Sequence, residues 1–236
     1  LASVDGLNLL RDSSGTPLET VVEPTYTPMP EVSSYSKGLE LYEIGEYQQA
    51  IDMFDAAVSS NPDDTMAYLM RGLTHHALYQ YQRAIHDYDK AIQLDPGFAG
   101  TYVERGKTYL VLDQYQKAFK DYDKAIQLDP KFAAAYKNRG DTYFELGQFS
   151  KAIEDHDKAI QLDPGDAWAY ELRGMAYYAL GQIERAIRDY EKAIQLNPDD
   201  AAARYHLLGL FYSGLGESQR AIENYDKAIQ RDPLFP

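Results

Sequence analysis

The sequence predicts an all-α fold: an α-solenoid of six helix-turn-helix repeats behind an extended N-terminal segment. Three observations predict it. Pro62, Pro96, Pro130, Pro164 and Pro198 stand 34 residues apart, and Pro233 follows 35 after Pro198. Small residues recur at fixed places between these prolines. The apolar residues in between keep helical spacing, as Ile85, Tyr88, Ala91 and Ile92 do.

Counting back from each proline delimits the repeats 31–64, 65–98, 99–132, 133–166, 167–200 and 201–236, the last with one extra residue between Asp200 and Gly209. The eighth place is Gly38, Gly72, Gly106, Gly140, Gly174 and Gly209. The twentieth is Ala50, Ala84, Ala118, Ala152, Ala186 and Ala221, and the twenty-seventh is Ala57, Ala91, Ala125, Ala159, Ala193 and Ala228. The twenty-fourth carries a bulky ring in Phe54, Tyr88, Tyr122, Tyr190 and Tyr225, with His156 in the fourth repeat. Glycine and alanine let two helices approach closely, and the ring fills the wider gap beside them. Each proline ends a second helix and pushes the residue before it out of the helical region. Asp64, Asp166 and Asp200 then stand where they can cap the next helix. One repeat cannot bury its apolar face alone, whereas stacked repeats share a continuous core.

These features resemble the tetratricopeptide repeat (TPR) family over residues 31–236, with Tyr68, Tyr102, Tyr136 and Tyr170 at a place where the family usually has Trp. The phrase D-K-A-I-Q-L-D-P, present in repeats two, three and four, resembles bacterial members. The resemblance implies a right-handed superhelix whose first helices line a concave groove that takes a polypeptide partner. The second, fifth, ninth and twelfth places face that groove in the family. Here they are Val32, Tyr35, Leu39 and Tyr42, then Met66, Leu69, Leu73 and His76, then Gly100, Val103, Lys107 and Leu110. Repeat four supplies Ala134, Lys137, Asp141 and Phe144, and repeat five Trp168, Glu171, Met175 and Tyr178. Repeat six supplies Ala203, His206, Leu210 and Ser213. The groove thus reads as apolar and aromatic, most of all in the first two repeats, and suited to an apolar peptide or helix. Some family members hold a chain-terminal carboxylate with Lys, Asn and Arg. Lys107, Lys137 and Asn138 are the nearest candidates here, and the full set is missing.

One covariation goes beyond the family pattern. The seventh place is Arg71, Arg105, Arg139 and Arg173 in the four middle repeats, and the twenty-third is Asp87, Asp121, Asp155 and Asp189 in the same four. The end repeats lose both, with Lys37 and Met53 in the first and Leu208 and Asn224 in the last. Each Arg is expected to hold an Asp across the helix packing, within its repeat or with a neighbour.

At the N-terminus, Leu7, Leu9 and Leu10 form a short apolar patch and Val21–Pro30 carries three prolines, so residues 1–30 read as an extended linker or docking arm. The chain begins at Leu1 without a Met and is expected to be a mature or trimmed product. It stops at Pro236 without the capping helix that the family often adds. The last helix is therefore expected to show apolar surface around Ile222, Tyr225 and Ile229, covered by another copy or a different subunit.

The net charge of −14 argues against nucleic-acid binding, and no apolar stretch is long enough for a membrane-spanning helix. With no cysteine, disulfides and thiolate chemistry are excluded. His75, His76, His86, His156 and His206 show no metal-ligand spacing, and no phosphate loop or nucleophile turn occurs. No cofactor and no catalysis are expected. The function expected is a scaffold or adaptor, the alternative being the regulatory or targeting part of an enzyme whose catalytic region is absent. The compartment, cytoplasmic or extracytoplasmic, is left open.

Overall fold

The computed structural model describes residues 33–232, in which twelve helices and no strands occur. The expected arm 1–30 and the chain after Asp232 lie outside the described residues. The helices are α1 (Ser34–Glu43), α2 (Tyr47–Ser60), α3 (Thr65–Ala77), α4 (Tyr81–Leu94), α5 (Ala99–Val111) and α6 (Tyr115–Leu128), followed by α7 (Ala133–Glu145), α8 (Phe149–Leu162), α9 (Ala167–Ala179), α10 (Ile183–Leu196), α11 (Ala202–Gly214) and α12 (Ser218–Arg231). Odd helices are the first of each repeat and even helices the second. Each packs on the next in sequence, and first helices of consecutive repeats also meet from α1 through α9. The six expected repeats form one solenoid.

The punctuation has local causes. Asn61, Asp95, Asp129, Asp163 and Asn197 cap the second helices with ψ of 87–95°, the extended backbone that a following proline imposes. The turn between the helices of a repeat needs a left-handed residue, supplied by Gly45, Gly147, Gly181 and Gly216 but by Tyr79 and Asp113 in repeats two and three. Asp64 accepts from the amides of Met66 and Ala67, and Asp166 from those of Trp168 and Ala169, as expected of caps. Asp200 does not cap. The extra residue of repeat six falls in the loop before α11, so Ala201 takes the cap place and Asp200 is moved off it. Arg204 instead donates to the carbonyls of Asn197 and Asp200 at 3.3 and 2.8 Å.

The glycine place is a steric requirement. A Cβ built on Gly106 would lie 2.6 Å from the Tyr122 ring, and one on Gly209 would lie 2.4 Å from Tyr225. Real contacts do not come so close, so the ring and the glycine select each other within every repeat. In repeat four the ring is His156, fully buried against Gly140.

The Arg–Asp covariation is an ion pair within each middle repeat. Arg71 holds Asp87 through Nε and Nη2 at 2.9 and 2.6 Å, and Arg105, Arg139 and Arg173 hold Asp121, Asp155 and Asp189 the same way at 2.6–2.8 Å. The guanidinium has a second carboxylate as well. Nη1 of each Arg reaches back to the preceding repeat at 2.5–2.6 Å, where Asp55, Asp89, Asp123 and Asp157 wait at the twenty-fifth place. Each Arg also lies over the ring of the Tyr three residues earlier, 5.3–5.7 Å from its centre. The downstream Asp of each clamp is buried and the upstream one is exposed.

The clamp stops at the junction between repeats five and six, where Leu208 replaces the Arg. That junction differs in its backbone too. Among the described residues, α9 and α11 are the only consecutive first helices that do not approach each other closely. Side chains bridge the gap instead. Arg204 donates to Glu171 at 2.6 Å, Tyr212 donates to Glu191 at 3.1 Å, and Tyr178 stacks on Phe211 at 4.7 Å.

Replacing Arg105 by Leu strands the buried Asp121 carboxylate and is expected to cost about 3 kcal/mol. Adding Asp121→Asn reproduces the Leu208–Asn224 pair of repeat six and is expected to recover most of that loss. Urea unfolding of the single and double variants reads the coupling directly.

Candidate functional site

The groove places do not form the uniform apolar strip that the sequence suggests. Leu69 and Val103 are buried in the core beneath the first helices and offer no surface as the array stands. Tyr35 is half-buried against Phe54 at 6.0 Å, and Tyr42 against Tyr47 at 5.5 Å. Leu39 and Leu73 are half-buried as well, so among the described groove places of the first two repeats only Met66 is an exposed large apolar residue, and Val32 lies outside the described residues. His76 donates or accepts at 2.8 Å with Thr108 of the next repeat, and burial holds its pKa below the usual imidazole range. The apolar exposure lies further along, in repeats five and six. Trp168 is 50% exposed, Tyr178 53% and Leu210 48%, flanked by the half-buried Phe144, Met175 and His206. Among the described residues, the most exposed large side chains at groove places thus stand in repeats five and six. A residue at a groove place is freed or buried by how closely its neighbours pack, which the period alone does not encode.

The three residues nearest to a carboxylate-holding set are engaged with the chain itself. Lys107 donates to Glu104 at 2.8 Å, Lys137 to Asp166 at 2.5 Å, and the Asn138 amide to the Ala134 carbonyl at 2.7 Å. Asp166 thereby does two jobs, capping α9 with one oxygen and holding Lys137 with the other.

Repeat four carries a polar pair that the others lack. Asp141 takes the ninth place, which is Leu39, Leu73, Lys107, Met175 and Leu210 elsewhere. His156 takes the ring place. Its Nε2 lies 3.7 Å from Asp141 Oδ1, too far for a hydrogen bond. Neither ring nitrogen of His156 and no donor for Asp141 Oδ1 finds a partner among the described residues. The Asp141 side chain is 25% exposed although Oδ1 is buried. Burial pushes the Asp141 carboxyl up to about 7, with Lys137 opposing and Glu145 and Asp166 adding to the rise. Burial pushes the His156 imidazole down to about 4, with Arg173 and Lys137 adding to the fall and Asp166 opposing it. Sequence reasoning placed both residues and missed their juxtaposition, although the break in period at two places of one repeat was the available signal.

The last helix shows the apolar face expected of it. Ile222 and Ile229 of α12 are 53% and 57% exposed, whereas their counterparts Ile187 and Ile194 are 7% and 8% exposed beneath α11. Tyr225 is half-buried, beside His206 at 5.6 Å. Among the described residues no group of His, Asp and Glu is placed to hold a metal ion, and no helix is long and apolar enough to cross a membrane.

Models of the tetratricopeptide repeat match residues 35–97, 111–147, 140–181, 167–200 and 202–233. No curated protein matches the chain. Among solved structures, PilW, a widely conserved type IV pilus biogenesis factor, superposes with a TM-score of 0.78 at 21% identity, over 88% of this chain and 96% of its own. MamA superposes with a TM-score of 0.60 at 28% identity, over 70% of this chain and 96% of its own. YrrB, a TPR protein with an unusual peptide-binding site, gives 0.59 at 25% identity, over 77% of this chain and 93% of its own.

The pair in repeat four has opposed effects on stability. Asp141 keeps its proton in the folded state up to about pH 7, but an unfolded carboxyl loses it near 4, so its contribution falls as pH rises between those values. His156 stays neutral when folded down to about pH 4, but titrates near 6.5 when unfolded, so its contribution rises across that window. Relative to the wild type, Asp141→Asn is expected to gain stability as pH rises from about 4 to about 7. His156→Phe is expected to lose stability from about 4 to about 6.5. Urea midpoints measured across the range check both signs.

Proposed function

The chain belongs to the tetratricopeptide repeat family, and from that membership we propose that it is a non-catalytic scaffold that captures a polypeptide along its first helices within a larger assembly. The observation that carries the reading is the exposure of Trp168 and Tyr178 at groove places, on helices that the repeat packing holds still. Large aromatic residues give wide contact area at low entropic cost, and they dominate the energetics of polypeptide binding. Tyr178 is stacked on the buried Phe211, which fixes its ring before any partner arrives. The partner that fits is a peptide or helix with an apolar or aromatic segment. The peptide-binding site named for YrrB, at 25% identity, supports a peptide as occupant. The uncovered face of α12 is the second contact surface in this reading. Asp226 lies there at the twenty-fifth place, which the upstream clamps use, so a helix that brings apolar residues and an Arg would continue the pattern of the array.

Twelve-residue peptides selected from a random display library on the full chain provide the test. Tyr178→Ala and Trp168→Ala are each expected to weaken a selected peptide about tenfold or more by calorimetry, from the size of aromatic hot spots. Tyr79→Ala, at an exposed turn, is expected to change nothing. Selection of no peptide, or full affinity in both groove variants with helical content intact, overturns the groove as the site.

A further inference from the structure

We propose that Asp141, with His156 behind it, is a cation-accepting site in repeat four that recognises a Lys or Arg side chain of the bound polypeptide. The proposal rests on the reading of the groove as the place where a polypeptide binds.

Two departures from the period coincide here. Every other ninth place carries an aliphatic residue, a methionine or a lysine, and every other ring place carries a phenyl or phenol. The two exceptions fall in one repeat and face each other at 3.7 Å. The Asp141 side chain is partly open to solvent and His156 is closed off from it. His156 is fully buried, with both nitrogens lacking a partner among the described residues, and Asp141 Oδ1 is buried and equally without one. Buried polar groups are nearly always paired, because each unpaired one forfeits its hydration without return.

Among the described residues, the cations nearest this carboxylate are each engaged with another acid. Lys137, one turn before Asp141 on α7, is held by Asp166, and Lys107 in the preceding repeat is held by Glu104. Arg173, which acts on His156 from α9, is closed between Asp189 and Asp157. Glu145, one turn after Asp141, and Asp166 add negative potential at the same spot. An incoming ammonium or guanidinium meets all of this favourably. It fixes Asp141 as the carboxylate, and the neutral imidazole can then donate its Nε2–H to Oδ1 after a closing movement of about 1 Å. His156 is thus a positioning residue for Asp141. Phe144, three residues on along α7, and the exposed Trp168 at a groove place of the next repeat supply apolar surface in the same stretch of the array. The predicted ligand is therefore a basic residue set among apolar or aromatic ones.

The test uses the full chain and the same twelve-residue display library. The wild type is expected to select peptides with Lys or Arg at a fixed spacing from an aromatic anchor. A selected peptide resynthesised with norleucine for that Lys is expected to bind at least tenfold more weakly. Asp141→Asn is expected to bring the two affinities together while leaving the loss on removing the aromatic anchor unchanged. His156→Phe is expected to shrink the Lys-to-norleucine ratio, an effect that lost packing alone would not produce. Asp141→Leu, which restores the residue of repeats one and two, guards against misfolding and is expected to select peptides without a basic preference. Peptides selected by the wild type with no enrichment of Lys or Arg, or an undiminished ratio in Asp141→Asn, overturn the proposal and leave the groove reading standing. Selection of no peptide by any form of the chain removes both.

Discussion

One guanidinium closed between two carboxylates defines each of the first four junctions of the array. Its own repeat supplies the buried Asp, in bidentate contact, and the repeat before supplies the exposed one. The buried contact is costly. At Asp121, burial holds the carboxyl above its usual range although Arg105 beside it opposes the rise. What the clamp secures is register. The planar fork accepts only one relative placement of second helix, first helix and preceding second helix, and the Tyr ring beneath holds the fork in its plane. The first repeat needs only the upstream half of a clamp. It keeps Asp55 for Arg71 while Lys37 and Met53 replace the pair.

Where the clamp is missing, the geometry relaxes. Repeat six has Leu208 and Asn224 at the two places and an extra residue in its entry loop, and α11 stands off from α9. At this junction Leu208 is packed in the core without a charge, the Glu191 carboxylate accepts from Tyr212 rather than from an Arg, and Arg204 ties the loop carbonyls to Glu171. Larger side chains then fill the wider gap, with Phe211 between the rings of Tyr178 and Tyr190.

The fold was almost wholly legible in the sequence because its determinants recur. Six copies of Gly, ring and Ala at fixed spacing report close helix approach whatever the partner. The Arg–Asp pairing was legible because both residues vanish together at the ends. The second carboxylate was not. Asp55, Asp89, Asp123 and Asp157 are exposed acids on a helix face full of acids, and only the folded distance separates a clamp from a solvated charge. The exposure of individual groove places was not legible. Leu69 and Val103 occupy groove places by count, yet the packing at the second and third repeats draws them inward, while the wider junction downstream leaves Tyr178 and Leu210 out. Asp200 shows the same limit, since a single inserted residue moves a cap without changing its type.

The division of labour between these places explains how one scaffold carries a varied surface. Places seven, eight, twenty-three and twenty-four meet inside the stack, where sterics and desolvation tolerate little. Place nine does not take part in the clamp, and along the chain it runs through Leu39, Leu73, Lys107, Asp141, Met175 and Leu210. Leu73 and Met175 at this place pack against the clusters of Tyr88 and Tyr190, whereas in repeat four the change at the ring place removes the phenol and sets a buried imidazole beside the Asp141 carboxylate. The clamp of Arg139 to Asp155 and Asp123 continues through this repeat without alteration. The register is therefore preserved where the ring is not, and a local polar defect can persist in the middle of the array because its neighbours hold the helices in place.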